Sequence, residues 1–84
     1  MKRTGKSKKD EVWLKKLGER IDSLIREKGF ASPYEFWVQE AGDKLSRAAL
    51  NYILTGRSDP KATTLKALAD LLHVKVRDLV DLPE

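Results

Sequence analysis

At 84 residues with one histidine and no cysteine, the chain has room for one domain with a modest core, and no thiolate nucleophile, disulfide or cysteine metal site is available to it. The formal charge of +4 is unevenly laid out: Lys2, Arg3, Lys6, Lys8 and Lys9 stand without an acid in residues 1–9, so the rest balances at −1. Overall basicity is therefore a weak nucleic-acid signal, and with no run near the roughly 20 apolar residues of a membrane span, and no apolar secretory segment, a soluble cytoplasmic protein is expected.

Residues 1–9 read as a basic, disordered arm and residues 10–84 as one folded domain. From Asp10 to Lys28, Trp13, Leu14, Leu17, Ile21, Leu24 and Ile25 recur at steps of three and four between charges, the period of an amphipathic helix. Gly29 supplies its stop. Gly18 inside this helix costs up to about 1 kcal/mol relative to alanine, which close backbone packing would justify.

Ser32-Pro33-Tyr34-Glu35 reads as a helix start, with serine as N-cap, proline at the first helical position and glutamate closing a capping box. This second helix is expected to turn Phe36 and Trp37 inward and to end near Ala41-Gly42. After the turn Gly42-Asp43-Lys44-Leu45, Ser46 caps a third helix that runs to about Thr55 and stops at Gly56. Ala49, Leu50, Ile53 and Leu54 form its inner stripe, leaving Arg47, Ala48, Asn51, Tyr52 and Thr55 outside.

Arg57-Ser58-Asp59-Pro60-Lys61 has loop composition. Thr63 or Thr64 then caps a fourth helix carrying Leu65, Leu68, Ala69 and Leu72 on one face and stopping at His73. A short fifth helix follows with Val76, Leu79 and Val80 inward, and Pro83 ends it. Five helices, short loops and no strand-like alternation predict an all-α, five-helix orthogonal bundle.

The sequence is poor in chemistry. It has no Gly-x-Ser-x-Gly, no phosphate loop and no His-Glu-x-x-His. His73 has no second histidine or cysteine to share a metal; it suits a helix C-terminus, where positive charge is favoured. Asp78 and Asp81 sit at helical spacing on an exposed face, unsuited to acid/base work that needs burial. Neither catalysis nor a cofactor is expected.

What stands out is two short helices joined by a turn, the second presenting small and polar side chains just before a basic loop. Bases and acids also separate: residues 29–43 hold Glu35, Glu40 and Asp43 with no base, whereas residues 44–61 hold Lys44, Arg47, Arg57 and Lys61 against Asp59. An α-helix fits the DNA major groove. Arg47 and Asn51, one turn apart, suit guanine and adenine edges, Ala48 permits approach to a thymine methyl, and Tyr52 reaches phosphate or sugar. Arg57, Ser58, Lys61 and Lys44 are placed to hold the phosphate backbone. Plainer readings stand beside these: solvent-facing helix residues for Arg47 and Asn51, helix propensity for Ala48, cover of the core edge for Tyr52, and unspecific charge for Lys44 and Lys61.

Taken in order, Leu17-Gly18-Glu19-Arg20-Ile21, the stretch from Ser46 to Gly56, Pro60, and the stretch from Thr64 to Val74 resemble the Cro/repressor-type, or lambda-repressor-like (XRE), helix-turn-helix family. The likeness spans roughly residues 14–82. It implies five helices with the third as recognition helix, operator binding, commonly as a two-fold homodimer, and transcriptional regulation, often repression. Ser46, Arg47, Ala48, Asn51 and Tyr52 match family positions at or near the bases, and Arg57 and Lys61 match the phosphate-contacting loop.

The sequence also departs from the family. Pro33 stands where a polar residue, often glutamine, contacts phosphate, so that contact is expected to be lost or moved to Ser32 or Tyr34. Trp37 falls near a usual alanine, His73 replaces a customary glycine, Leu54 replaces a frequent glutamate, and the segment from Ser32 to Ser46 is a few residues longer than usual. A homodimer would have to use the bundle itself, near the fifth helix and Leu82. The alternative function is a protein-interaction module, the antidote of a toxin (antitoxin) or an adaptor, suggested by the acidic, aromatic second helix with Tyr34, Phe36 and Trp37.

Overall fold

The computed structural model describes residues 8–82. Lys2, Arg3 and Lys6 of the expected arm, and Pro83, lie outside them. The first helix, α1 (Lys8–Glu27), begins two residues before Asp10, so Lys8 and Lys9 form its first turn. Asp10 and Glu11 follow at once, where negative charge complements the partial positive charge of a helix start. At its far end the Gly29 N–H donates to the Arg26 carbonyl at 3.0 Å and the Phe30 N–H to the Ile25 carbonyl at 3.3 Å. This paired closure is the Schellman motif.

The second helix, α2 (Pro33–Phe36), continues without a break into a π-helical turn, Trp37–Ala41. Its start is as expected: Ser32 Oγ accepts from the Glu35 N–H at 3.2 Å. The Glu35 carboxylate reaches one residue further than a standard capping box and accepts from the Ala31 N–H at 2.9 Å. Widening the last turn to i→i+5 bonding takes up extra chain before the bend, so the long segment between Ser32 and Ser46 leaves only the short exposed turn around Gly42, Asp43 and Lys44 outside the helices. The third helix, α3 (Arg47–Leu54), is capped by Ser46, whose Oγ accepts from the Ala49 N–H at 3.0 Å.

The fourth helix, α4 (Ala62–Leu72), corrects the expected cap. It starts before either threonine, at an N-cap Lys61 that makes no side-chain bond. The Lys61 carbonyl instead takes both the Thr64 and Leu65 N–H groups at 3.0 Å, and Ala62 extends the helix at little conformational cost. In α5 (Val76–Val80) the Asp78 carboxylate accepts from the Lys75 N–H at 2.9 Å. Leu79 is fully buried, but Val76, expected inside, is 38% exposed. Five residues make little more than one turn, so only part of the circumference meets the bundle.

Helix α1 is the spine. Its Leu14, Leu17, Ile21, Leu24 and Ile25 join Phe36, Ala41, Leu50, Ile53, Leu68, Ala69, Leu72 and Leu79 in one core that contains no polar or charged side chain among the described residues. Phe36 is fully buried and meets Phe30 edge to face, centroids 5.3 Å apart at 73°. Arg20 on α1 donates from Nε to the Asp78 carbonyl at 2.8 Å, tying the spine to α5. The all-helical bundle expected from the sequence is the fold observed, with no strand among the described residues.

Helices α1 and α3 meet backbone to backbone. A Cβ at Gly18 would collide with the Leu54 carbonyl oxygen and lie 2.6 Å from that of Ile53. At the other end of the contact, a Cβ at Gly56 would lie 2.8 Å from Lys15 Cγ and 2.9 Å from its Cα. Gly56 also adopts φ 76°, a left-handed conformation that favours glycine. The two glycines set how closely α3 lies on the spine, and hence which of its faces is left for solvent.

Candidate nucleic-acid interface

An α-helix with its side chains is about 10–12 Å across, a rod that the roughly 12 Å wide major groove admits, and the eight residues of α3 make that rod about 12 Å long. Its inner face is fixed by Leu50 and Ile53, which are 2% and 4% exposed. Helical geometry then dictates the outer face. Arg47, Ala48, Asn51, Tyr52 and Thr55 are all exposed, the set expected outside. Tyr52 is 46% exposed, so part of its ring is covered and part is open to solvent. Ala49 and Leu54 of the inner stripe lie at its half-buried margin.

The structure gathers some of the candidate residues and leaves others apart. Ser32, Arg47 and Asn51 line one groove of about 370 Å³ between the start of α2 and the length of α3, together with Tyr34, Trp37 and Thr55. Ala48 and Tyr52 stand on α3 outside this groove. Lys44 is exposed in the turn before α3, while Arg57 and Lys61 are exposed, and Ser58 half-buried, in the loop after it. The basic side chains thus flank the outer face at both ends of the rod. Among the described residues, the side chains of Lys44, Asn51, Arg57 and Lys61 make no hydrogen bond or ion pair, leaving them open to outside partners.

Both serines have a structural duty. Ser32 Oγ and Ser46 Oγ each accept a backbone N–H, but a hydroxyl that accepts one bond still has a proton to donate, as a phosphate oxygen would require. The Arg57 N–H is bound to the Tyr52 carbonyl at 2.8 Å, closing α3 as α1 is closed and starting the loop in a defined direction.

Two features escaped the reading of residue types. The Trp37 indole Nε1 donates to the Leu45 carbonyl at 2.8 Å, bracing the turn from inside. The Arg47 guanidinium carbon lies 4.5 Å from the centroid of the Tyr34 ring, and Tyr34 in turn stacks on Trp37, centroids 6.2 Å apart at 29°. The three-residue spacing of Tyr34 and Trp37 puts them on one helix face. Which residue of the next helix meets them depends on the turn, whose course the sequence does not announce.

Among the described residues, no group of three or more histidines, cysteines or carboxylates is placed to hold a metal ion, and no helix is long and apolar enough to cross a membrane. Two short helices joined by a braced turn, the second offering polar side chains between basic flanks, make up a DNA-binding domain of the helix-turn-helix class. A family model for helix-turn-helix domains, of the Cro/repressor type, matches residues 38–79, half of the chain, and the chain belongs to that family. The match begins at Val38, just past Pro33 and Trp37, where the sequence departs from the family pattern. Comparison with curated proteins and with solved structures finds no match.

Proposed function

We propose that the domain is a cytoplasmic transcriptional regulator, a repressor, that reads operator DNA with α3 in the major groove. The observation that carries this reading is the open outer face of α3, with Arg47 and Asn51 exposed one turn apart over a buried Leu50–Ile53 face. Arg47 is assigned to a guanine edge, Asn51 to an adenine edge and Ala48 to a close apolar approach. Ser46 is assigned a place at or near the bases, and Tyr52, Arg57, Ser58, Lys61, Lys44 and Ser32 are assigned to the sugar-phosphate backbone, where contacts set register without reading sequence. No catalytic step and no cofactor belong to this function.

Selection from random duplex DNA tests it. The parent protein should enrich one short sequence, and Arg47→Ala should lose about 1–3 kcal/mol of discrimination at one base pair, the worth of a good bidentate contact. Failure of the parent to enrich any sequence would refute sequence reading. The same experiment reports on assembly. Binding as a homodimer would return two inverted half-sites with centres about 34–36 Å apart, whereas a single half-site would mean a monomer.

A second reading rests on Tyr34 and Val38, 52% and 55% exposed, beside Glu35 and Glu40 on the second helix. Apolar exposure among acids suits a protein partner, such as a toxin or an adaptor target. Stoichiometric capture of such a partner by a chain with no affinity for DNA would decide for it.

A further inference from the structure

We infer that Tyr34 is a positioning residue for base reading, acting through Arg47; the inference deepens the proposed function and rests on it. A free arginine samples many rotamers, and ordering it on a base costs entropy that weakens discrimination. A contact made before DNA arrives lowers that cost. The guanidinium lies over the Tyr34 ring at 4.5 Å, where the negative face of the ring attracts the cation, and the flat fork of arginine can stack while its edge donors stay free for a base.

The platform under the arginine is itself fixed. Tyr34 stacks on Trp37, and the Trp37 indole is bonded to the Leu45 carbonyl at 2.8 Å. Leu45 adjoins Ser46, the N-cap of the helix on which Arg47 is the first residue. The contacts therefore form a closed circuit from the backbone just before α3, through two rings, to the side chain at its start. The circuit fixes both the place where α3 begins and the direction in which its first side chain leaves. Tyr34 remains 52% exposed, so it is no core residue, and its ring is open to Arg47 while it stacks on Trp37. Pro33 fits the same purpose, since its ring restricts the backbone immediately before Tyr34.

The test compares Tyr34→Leu, which keeps bulk but removes the ring face, with Tyr34→Phe, which keeps the face and removes the hydroxyl. In the free protein, proton NMR of the parent and of Tyr34→Phe should show the Arg47 δ-methylene protons shifted upfield by the ring, and Tyr34→Leu should abolish the shift. In selection from random DNA, Tyr34→Leu should lower the preference at the base pair read by Arg47 by about 2- to 5-fold, the worth of an exposed cation–π contact. Tyr34→Phe should restore it, and Tyr34→Leu should add nothing in an Arg47→Ala background. Absence of the upfield shift in the parent would overturn the inference. So would an equal loss of affinity for every sequence in both Tyr34 variants, which would make the hydroxyl a phosphate contact. A parent that shows the NMR shift but enriches no sequence would instead sink the proposed function and leave the free-state contact standing.

Discussion

Close approach of two backbones at Gly18 leaves a gap that one methyl group overfills, because the carbonyl oxygens of Ile53 and Leu54 occupy it. Alanine there would gain up to about 1 kcal/mol of helix propensity, but neither carbonyl belongs to a side chain that can swing aside. The usual cost of overpacking, about 1–3 kcal/mol, outweighs that gain, and a net loss of up to about 2 kcal/mol is expected for Gly18→Ala. Urea unfolding should show a lower midpoint at unchanged slope. An unchanged midpoint would mean that α1 and α3 lie further apart than described. The opposite sign is expected at His73, which closes α4 with φ 59° and ψ 42°. Its N–H donates to the Asp70 carbonyl at 3.2 Å and that of Val74 to the Ala69 carbonyl at 2.9 Å, the closure that glycine makes after α1 and α3. The His73 side chain is exposed, so little packing is at stake, whereas a left-handed non-glycine residue costs about 1–2 kcal/mol. His73→Gly should stabilise the domain by about 1 kcal/mol and raise the melting temperature by about 4–8 °C for a chain of this size. A fall would show that the imidazole holds the helix end in some other way.

Elements were legible where a local chemical signal marks their ends, and obscure where the end is set by backbone alone. Ser32 and Ser46 announce α2 and α3 because a serine oxygen before an apolar period has an N–H to cap, and both caps are formed. Thr63 and Thr64 give the same signal and mislead, since Ala62 and the Lys61 carbonyl begin α4 without side-chain help. The π turn at Trp37–Ala41 carries no such mark. It answers to the length of chain that must fit between Phe36 in the core and Leu50 on the far side of the turn. The brace from Trp37 to Leu45 then holds what the π turn shapes, and Trp37→Phe should separate the two, keeping an aromatic ring while losing one hydrogen bond worth about 1 kcal/mol. Native-state amide exchange should quicken at Ala49 and Leu50, whose N–H groups are bound to Ser46, more than at Ile21 and Leu24 in the spine. An equal loss in both places would assign Trp37 to general packing.

Charge becomes informative only over the whole molecule. Of the bases in residues 1–9, Lys2, Arg3 and Lys6 lie outside the described region while Lys8 and Lys9 belong to α1, and the net charge of the folded part is a weak guide to DNA binding. What the folded part offers is a local arrangement. Lys44 stands before α3, and Arg57 and Lys61 after it, while the acids Glu35, Glu40 and Asp43 occupy the preceding segment. That alternation was visible in the sequence. What was not visible is that Asn51 stays unpartnered in the described fold while Arg47 is already seated on Tyr34, because these outcomes depend on how α2 crosses α3. The two kinds of side chain should then answer differently to salt. Each phosphate contact releases condensed counterions and contributes about −0.9 to the slope of log affinity against log salt concentration. Arg57→Ala and Lys61→Ala should each flatten that slope by about 0.9 and weaken selected and random DNA alike. Asn51→Ala, removing an uncharged base contact, should leave the slope unchanged and lower affinity for the selected sequence only. Slopes identical across all three variants would remove Arg57 and Lys61 from the phosphate backbone, and a loop that does not touch phosphate could not hold α3 in the groove at the register its outer face requires.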